Sequence, residues 1–233
     1  MQKKEFYKHN LPHFQQPGQA YFVTWSLKGA VPNKALKRYT DKLEILKSQM
    51  NAAVSEPPTR KDADRNQHHP EFKTSFTETE KLRKEFYTLR KKYIKAYDDL
   101  QDAERNPKID LLKPENLSVM IHTLMFWEGK TIQNQAFCIM PNHVHWVFEV
   151  FEKDENGNPV YLQDILYSVK RFSASHINKL ENRQGPLWQK ESFDTTIRDE
   201  KHLYYAIEYT LNNPVNARFV SDWRHWPGSW SAE

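Results

Sequence analysis

Two histidines separated by a single residue are the first candidates for chemistry in this chain. His143 and His145 lie in the run Met-Pro-Asn-His-Val-His-Trp-Val-Phe over residues 140–148. A β-strand directs alternate side chains to the same face, so both imidazoles would point the same way. Two imidazoles at that spacing can chelate one divalent ion. The alternative is a pair of partly buried strand histidines, each hydrogen-bonded to a neighbour, and in a chain with ten histidines the spacing alone favours this alternative.

A tyrosine and an asparagine near the C-terminus form the second candidate pair. Tyr209 and Asn213 are four residues apart in a predicted helix, which places one a turn above the other. A tyrosine hydroxyl titrates near about 10 and is a weak nucleophile at neutral pH unless it is assisted. A metal ion that polarises a scissile phosphate would give that assistance and leave a 5′-phosphotyrosine and a free 3′-OH. Core packing of an aromatic residue is the alternative.

The elements that must position these residues follow from hydrophobic periodicity and turn residues. Pro141-Asn142 predicts a tight hairpin link ahead of His143, and Asp199 is a good N-cap for the tyrosine helix. The segment 51–76 is predicted to be an exposed loop or a disordered segment, with Thr77 capping the charged helix after it. The predicted strands cover 21–27, 132–140, 143–150 and 193–197, and the predicted helices cover 34–50, 77–105, 117–127, 161–180 and 199–214. This arrangement predicts an α+β fold with a mainly antiparallel sheet flanked by helices.

Composition limits the classes of protein that remain. The 233 residues suit one domain over 1–233, with a charged loop and helix insertion at about 51–105. Lys and Arg number 34 against 30 Asp and Glu, and the resulting charge of +4 permits a polyanionic partner. The single cysteine, Cys138, excludes a disulfide framework and a cysteine-rich zinc site. No apolar run approaches the ~18 residues that span a membrane, so we expect a cytoplasmic protein without a membrane partner.

The motifs taken together resemble the REP-associated tyrosine transposases, which are bacterial single-tyrosine relatives of insertion-sequence transposases in the HUH superfamily. The resemblance covers both ends of the chain, with the motifs in order. Its members are Asn-Leu-Pro-His-Phe at 10–14, Tyr-Phe-Val-Thr at 21–24, the His-Val-His strand, Trp188-Gln189, Phe193-Asp194, Ile197-Arg198-Asp199, His202-Leu203, Tyr209, Asn213-Pro214-Val215 and the tail Trp-Pro-Gly-Ser-Trp at 226–230.

The resemblance implies a fold, an activity and a set of site residues. It implies a ferredoxin-like HUH sandwich in which His143, His145 and Asn213 hold Mg²⁺ or Mn²⁺ and Tyr209 is the nucleophile. Such an enzyme recognises hairpins of repetitive palindromic elements, and it cleaves and rejoins single-stranded DNA in transposition and recombination. The implied setting is the bacterial cytoplasm, at the nucleoid when DNA is bound, with the protein acting as a monomer or a homodimer.

Two departures from the family pattern stand out. The family usually has Ala-Gly-Leu after Asn-Pro-Val, where this chain has Ala217-Arg218-Phe219. The charged stretch at about 51–105 is longer than in compact members, which predicts an accessory arm. Tyr204 and Tyr205 do not stand at the nucleophile position, so we expect them to pack or to contact DNA.

Several residues are candidates for DNA contact, each with a plainer alternative. Lys170 and Arg171 lie on the polar face of the helix over 161–180, where they either contact phosphates or are simply solvated. Trp188 either stacks on an unpaired base or packs in the core. The remaining candidates are Gln189 and Arg198, which would line the groove, and Asn10 and His13, which would recognise the hairpin on the family's pattern.

Two other functions stay open. The chain could be a catalytically inactive hairpin-DNA-binding protein that keeps the fold. It could also be a metal-dependent hydrolase that uses the His-x-His pair and water, with Tyr209 merely structural.

Overall fold

A computed structural model describes residues 6–8, 12–14, 16–31, 36–54, 70–103, 107–190 and 192–232. The chain divides into two compact units. The first comprises residues 1–30 and 101–233, and the second comprises residues 31–100. The organisation as one domain over 1–233 stays a prediction.

The first unit is built on a five-stranded antiparallel sheet in the order β6-β3-β5-β4-β7. The helices beside it are α3, α4, α5 and α6, at Pro114–Met125, Leu162–Leu180, Glu200–Leu211 and Asn213–Asn216. A short hairpin, β1 (Phe6–Lys8) with β2 (Pro12–Phe14), precedes the sheet. The strands of the sheet are β3 (Ala20–Ser26), β4 (Ile132–Ile139), β5 (His143–Val150), β6 (Phe193–Thr196) and β7 (Ser229–Ser231). The predicted α+β class with a mainly antiparallel sheet flanked by helices is confirmed.

The central strand, β5, divides its side chains between two faces of the sheet. Val144, Trp146 and Phe148 are fully buried in the main core with residues of α3 and α4. The opposite face carries Val147, which packs against Ala206 of α5, so α5 covers the face on which the two histidines lie. Both faces of β5 are therefore buried, and a buried polar side chain on the α5 face has few routes to water.

The predicted Pro141-Asn142 link is confirmed, since β4 and β5 pair as a hairpin with Ile139 opposite Val144. The tail then adds β7 to the outer edge of β4, with the Trp230 and Phe137 rings stacked at 5.5 Å between centroids. Gly228 sits directly on the backbone of Ile139, and a Cβ at that position would collide with the Ile139 carbonyl oxygen. The glycine in the tail motif is thus required by close approach of two backbones.

The chain leaves α6 in a Schellman motif that explains one departure from the family pattern. The amide of Phe219 donates to the Pro214 carbonyl and that of Arg218 to the Val215 carbonyl. Arg218 has φ +60°, in the left-handed region that favours glycine. The residue that replaces the usual glycine therefore keeps the conformation for which glycine is suited.

The second unit consists of α1 (Lys37–Val54) and most of α2 (Pro70–Ala103). Lys42 and Glu85 form an ion pair at 3.3 Å between the two helices, and the rings of Tyr39 and Tyr93 lie 6.2 Å apart. The helix α2 begins at Pro70, so the prediction of a loop up to residue 76 is wrong for 70–76, and Thr77 is inside the helix rather than its cap. Proline fits the first helical turn because its missing N–H has no partner there in any case.

No helix among the described residues has the length and apolar content needed to cross a bilayer.

Candidate metal and nucleophile site

The two histidines lie side by side on the α5 face of the sheet, at the start of β5. His143 is opposite Ser26 and His145 opposite Thr24 in the antiparallel register. Their ring centroids are 4.8 Å apart, and both side chains are buried. The strand periodicity thus places the pair on one face, as predicted.

Each histidine is held through its Nδ1 atom. Nδ1 of His143 lies 2.7 Å from Oδ1 of Asn142, and Nδ1 of His145 lies 2.9 Å from Oγ1 of Thr24. The Asn142 amide is itself oriented, because its Nδ2 donates to the backbone carbonyl of Gln101 at 3.0 Å. Its oxygen is therefore the atom that faces His143, which places the imidazole proton of neutral His143 on Nδ1.

The Nε2 atoms of both histidines are buried and make no hydrogen bond. Burial lowers the pKa of His143 to about 3, an effect that the Asn213 side chain partly offsets. Burial also holds the pKa of His145 well below its usual range, with the nearby His143 adding to the effect. Both imidazoles are therefore neutral at pH 7, and each neutral ring has an unshared electron pair available on a buried nitrogen.

Asn213 supplies a third unpartnered donor atom. It is buried, its side chain faces His143, and its Oδ1 makes no hydrogen bond. The predicted geometry needs one correction. The helix α5 ends at Leu211, and Asn213 begins the short helix α6 rather than continuing the tyrosine helix. Asn212 at the junction has ψ near 1°, and the Pro214 ring removes a backbone donor beyond it.

Tyr209 lies on α5 with its ring against the metal-binding candidates. Its ring meets that of His145 edge to face at 5.5 Å between centroids, and it meets Phe22 in the same way at 5.7 Å. Its side chain remains 36% exposed, so a substrate can reach it. The N-cap predicted for this helix is confirmed, because Asp199 accepts the amide of His202 at 2.7 Å. Tyr204 and Tyr205 are about 60% exposed, which excludes core packing for both.

These donors fit a divalent cation on the evidence of their own chemistry. Three buried donor atoms without hydrogen-bond partners are costly to desolvate, and a bound cation would satisfy all of them. A two-nitrogen, one-oxygen set of neutral donors suits several divalent ions. As the side chains stand, no three His, Cys, Asp or Glu residues of the described part of the chain are close enough together to enclose a metal ion. The two histidines therefore need a ligand of another kind or a carboxylate that moves toward them, and the Asn213 amide is the donor already in place.

Two of the predicted DNA-contacting residues, Gln189 and Lys170, are held by hydrogen bonds near the end of β3 and at Ser192. Gln189 lies beside the end of β3, where its Oε1 accepts from Oγ of Ser26 at 3.3 Å. Lys170 donates from Nζ to Oγ of Ser192 at 2.6 Å and to the Gln189 carbonyl at 3.3 Å. The Lys170 ammonium thus links α4 to Gln189 and Ser192 rather than being simply solvated, and its contact with phosphates stays a prediction.

The remaining DNA-contact candidates are placed differently. Trp188 is buried, and its indole donates to Oγ of Ser173 at 3.0 Å, so the base-stacking prediction is corrected to core packing. Arg171 and Arg198 are exposed and available to a polyanion. Asn10 lies outside the described residues, and of His13 only its backbone place in β2 is described.

The residues that support the ligands are not among those predicted from the sequence. Asn142 and Thr24 orient the two histidines, and Phe22 lies parallel to the His145 ring at 5.9 Å. A polar residue immediately before the His-x-His pair was a signal for Asn142. Thr24 could not be found without the strand register, because it lies 121 residues from its partner. Cys138 is buried as predicted, and burial raises the pKa of its thiol to about 12.

The comparisons with known proteins agree with the motif resemblance. A Haemophilus influenzae protein named "Putative REP-associated tyrosine transposase" is 29% identical over 138 residues, which are 56% of this chain and 74% of that protein. An uncharacterized protein of the same species is 32% identical over 99 residues, spanning 36% of this chain and 55% of that one. No model of a known protein family matches the chain.

A solved structure described as a REP-associated tyrosine transposase bound to a REP hairpin aligns with 98% of this chain and 82% of its own, at 13% identity and a TM-score of 0.46. The sequence similarity to the Haemophilus influenzae protein, which is named a "Putative REP-associated tyrosine transposase", confirms the resemblance expected from the motifs.

Proposed function

We propose that this protein is a metal-dependent transesterase that cleaves and rejoins single-stranded DNA through a covalent link to Tyr209. The observation that carries the proposal is the juxtaposition at the start of β5. Nε2 of His143, Nε2 of His145 and Oδ1 of Asn213 are buried donors without hydrogen-bond partners. The accessible Tyr209 ring packs edge-on against His145.

The residues have separate roles in this proposal. His143, His145 and Asn213 would hold Mg²⁺ or Mn²⁺, which when bound supplies charge stabilisation to the scissile phosphate. Tyr209 Oη forms a bond to phosphorus while the bond from phosphorus to the 3′ oxygen breaks. The tyrosine proton passes to solvent, and the departing oxygen takes up a proton to become a 3′-OH. The phosphotyrosine retains the phosphodiester energy, so rejoining by a 3′-OH needs no nucleotide cofactor.

Hairpin DNA from repetitive palindromic elements is the proposed substrate. The support is the homologue's name, together with the exposed guanidinium groups of Arg171 and Arg198. Arginine side chains that contact phosphates contribute affinity that falls with salt concentration. Mobilisation of such repeats, in a bacterial cytoplasm and at the nucleoid, is the corresponding cellular role that we propose.

The direct experiment is to capture the covalent intermediate. The protein is incubated with Mn²⁺ and an end-labelled hairpin oligonucleotide and then resolved under denaturing conditions. We expect a labelled protein adduct from the wild type and none from Tyr209→Phe. Tyr205→Phe is a matched control, because Tyr205 lies one turn earlier on the same helix and is also exposed. That control should form the adduct.

The other possible results separate the rival functions. An adduct that survives Tyr209→Phe would overturn the proposal. Cleavage without any adduct would favour a hydrolase that uses the His-x-His pair and water. Binding of the hairpin without cleavage would favour an inactive DNA-binding protein that has kept the fold.

A further inference from the structure

A carboxylate lies near the histidine pair at the C-terminal end of α2, a helix that the sequence predicts to be part of an accessory arm. Asp102 lies in the last turn of α2, and its Oδ1 is 3.9 Å from Nε2 of His143. The side chain as a whole is 25% exposed, but the Oδ1 atom is buried. An acidic oxygen thus faces the atom of His143 that we assign to the metal.

The hydrogen bonds around His143 make this approach unfavourable without a cation. Because Asn142 presents its oxygen to Nδ1, the neutral His143 ring has its proton on Nδ1 and its electron pair on Nε2. Nε2 and Oδ1 of Asp102 are then two electron-rich atoms that face each other. A positive charge between them would turn this repulsion into attraction.

The two atoms are close enough for one ion to join them after a small movement. Ligand atoms lie about 2.1 Å from Mg²⁺, so adjacent ligands of an octahedral ion are about 3.0 Å apart and opposite ligands about 4.2 Å apart. The 3.9 Å between Oδ1 and Nε2 lies between these two values, and a shift of the Asp102 side chain by less than about 1 Å reaches either one.

The same turn of α2 also fixes the orientation of His143. The carbonyl of Gln101, the residue before Asp102, accepts the Asn142 amide that holds His143. The helix end therefore contributes an orienting carbonyl and a carboxylate to the same imidazole. Removal of the Asp102 charge alone would leave the Gln101 carbonyl in place, which allows the two contributions to be tested separately.

Charge supplies the chemical argument for a role of this carboxylate. His143, His145 and Asn213 are all uncharged donors, and two imidazoles with one amide would bind soft or borderline ions in preference to hard ones. Mg²⁺ and Mn²⁺ bind to proteins chiefly through carboxylate oxygens. We propose that Asp102 is the anionic ligand of this site and that it gives the site its affinity for hard divalent cations. This inference rests on the cation site of the proposed function and extends it.

The test measures metal binding in the absence of DNA. Binding of Mn²⁺ to the full chain is followed by electron paramagnetic resonance and by calorimetry, with Zn²⁺ as a comparison ion. We expect Asp102→Asn to weaken Mn²⁺ binding by 10-fold or more and to weaken Zn²⁺ binding much less, because the amide keeps the shape and loses the charge. Asp99→Asn is the matched control, since Asp99 is exposed on the same helix. It should bind like the wild type.

A second variant separates the charge from folding. Asp102→Glu retains the carboxylate and should keep most of the Mn²⁺ affinity. The proposal is overturned if Asp102→Asn binds Mn²⁺ as tightly as the wild type, if Asp102→Glu is as weak as Asp102→Asn, or if the wild type binds no Mn²⁺. Binding of Mn²⁺ that depends on Asp102, in a protein that forms no DNA adduct, would support this inference and refute the transesterase function, so the two failures are distinguishable.

Discussion

Acidification should destabilise the metal-free protein through the two buried histidines. Burial lowers the pKa of His143 to about 3, and the pKa of His145 is lowered in the same direction. Histidine in the unfolded chain has a pKa of about 6.5. Above that pH both imidazoles are neutral in the folded and the unfolded chain, so they do not make the free energy of unfolding depend on pH. Below it, the unfolded chain binds protons that the folded chain excludes. The free energy of unfolding therefore falls as the pH decreases.

The expected size of the effect follows from these pKa values. Between the pKa of the unfolded chain and that of the folded chain, each unit by which the pH falls lowers the free energy of unfolding by about 1.4 kcal/mol for one histidine. For His143 the loss between pH 7 and pH 5 is about 2 kcal/mol, since most of the two units lie below 6.5. His145 adds to this loss, and the two together would remove a large part of the stability of an ordinary domain.

Urea denaturation at pH 7 and pH 5, with a chelator present, measures this loss. The control is the double substitution of His143 and His145 by Asn. It removes both buried imidazoles and keeps all carboxylates and the remaining histidines, which titrate in the same way in both proteins. We expect the wild type to lose at least about 2 kcal/mol more than this double variant between the two pH values. Equal losses in the two proteins would refute the assignment of both histidines as buried, neutral groups.

Three further changes test the packing on which the site depends. Trp188→Ala should reduce the free energy of unfolding by about 3–5 kcal/mol, because the ring fills the core; a fold of unchanged stability would contradict its burial. Gly228→Ala should cost about 1–3 kcal/mol in thermal unfolding, since the new Cβ meets the Ile139 carbonyl; wild-type stability would show that the backbones are not so close. Arg218→Gly should raise the free energy of unfolding by about 0.5–1 kcal/mol, because glycine relieves the left-handed backbone strain but adds entropy to the unfolded chain. Arg218→Ala should not raise it, since alanine keeps the Cβ that causes the strain.

The parts of the fold that the sequence predicts well are those with strong local signals. The strand β5, which carries His143 and His145, has the predicted bounds 143–150, because it starts directly after a Pro-Asn turn. The N-cap of α5 at Asp199 is predicted equally well from local sequence. The edge strand β7 and the hairpin β1–β2 were missed, since strands of three residues are too short to show a period.

Some residues of the site can be predicted from local sequence, and others can be found only from the tertiary structure. Strand periodicity brings His143 and His145 together without reference to the rest of the fold. Thr24, which holds His145, is found only from the pairing of β3 with β5. The sequence around Asp102 predicts a charged accessory arm. No motif or periodicity there indicates that Asp102, at the end of α2, lies near His143. Contacts between distant segments depend on tertiary packing, which a single sequence does not reveal.

The most direct measurement is to locate the DNA on the protein. The adduct formed with Mn²⁺ and a hairpin oligonucleotide is digested with nuclease and trypsin, and the peptide covering 202–218 is sequenced by mass spectrometry. This peptide contains Tyr204, Tyr205 and Tyr209, so each serves as an internal control for the others. We predict a nucleotide mass on Tyr209 alone. Attachment at Tyr204 or Tyr205, or cleaved DNA with no modified peptide, would contradict the assignment of Tyr209 as the nucleophile.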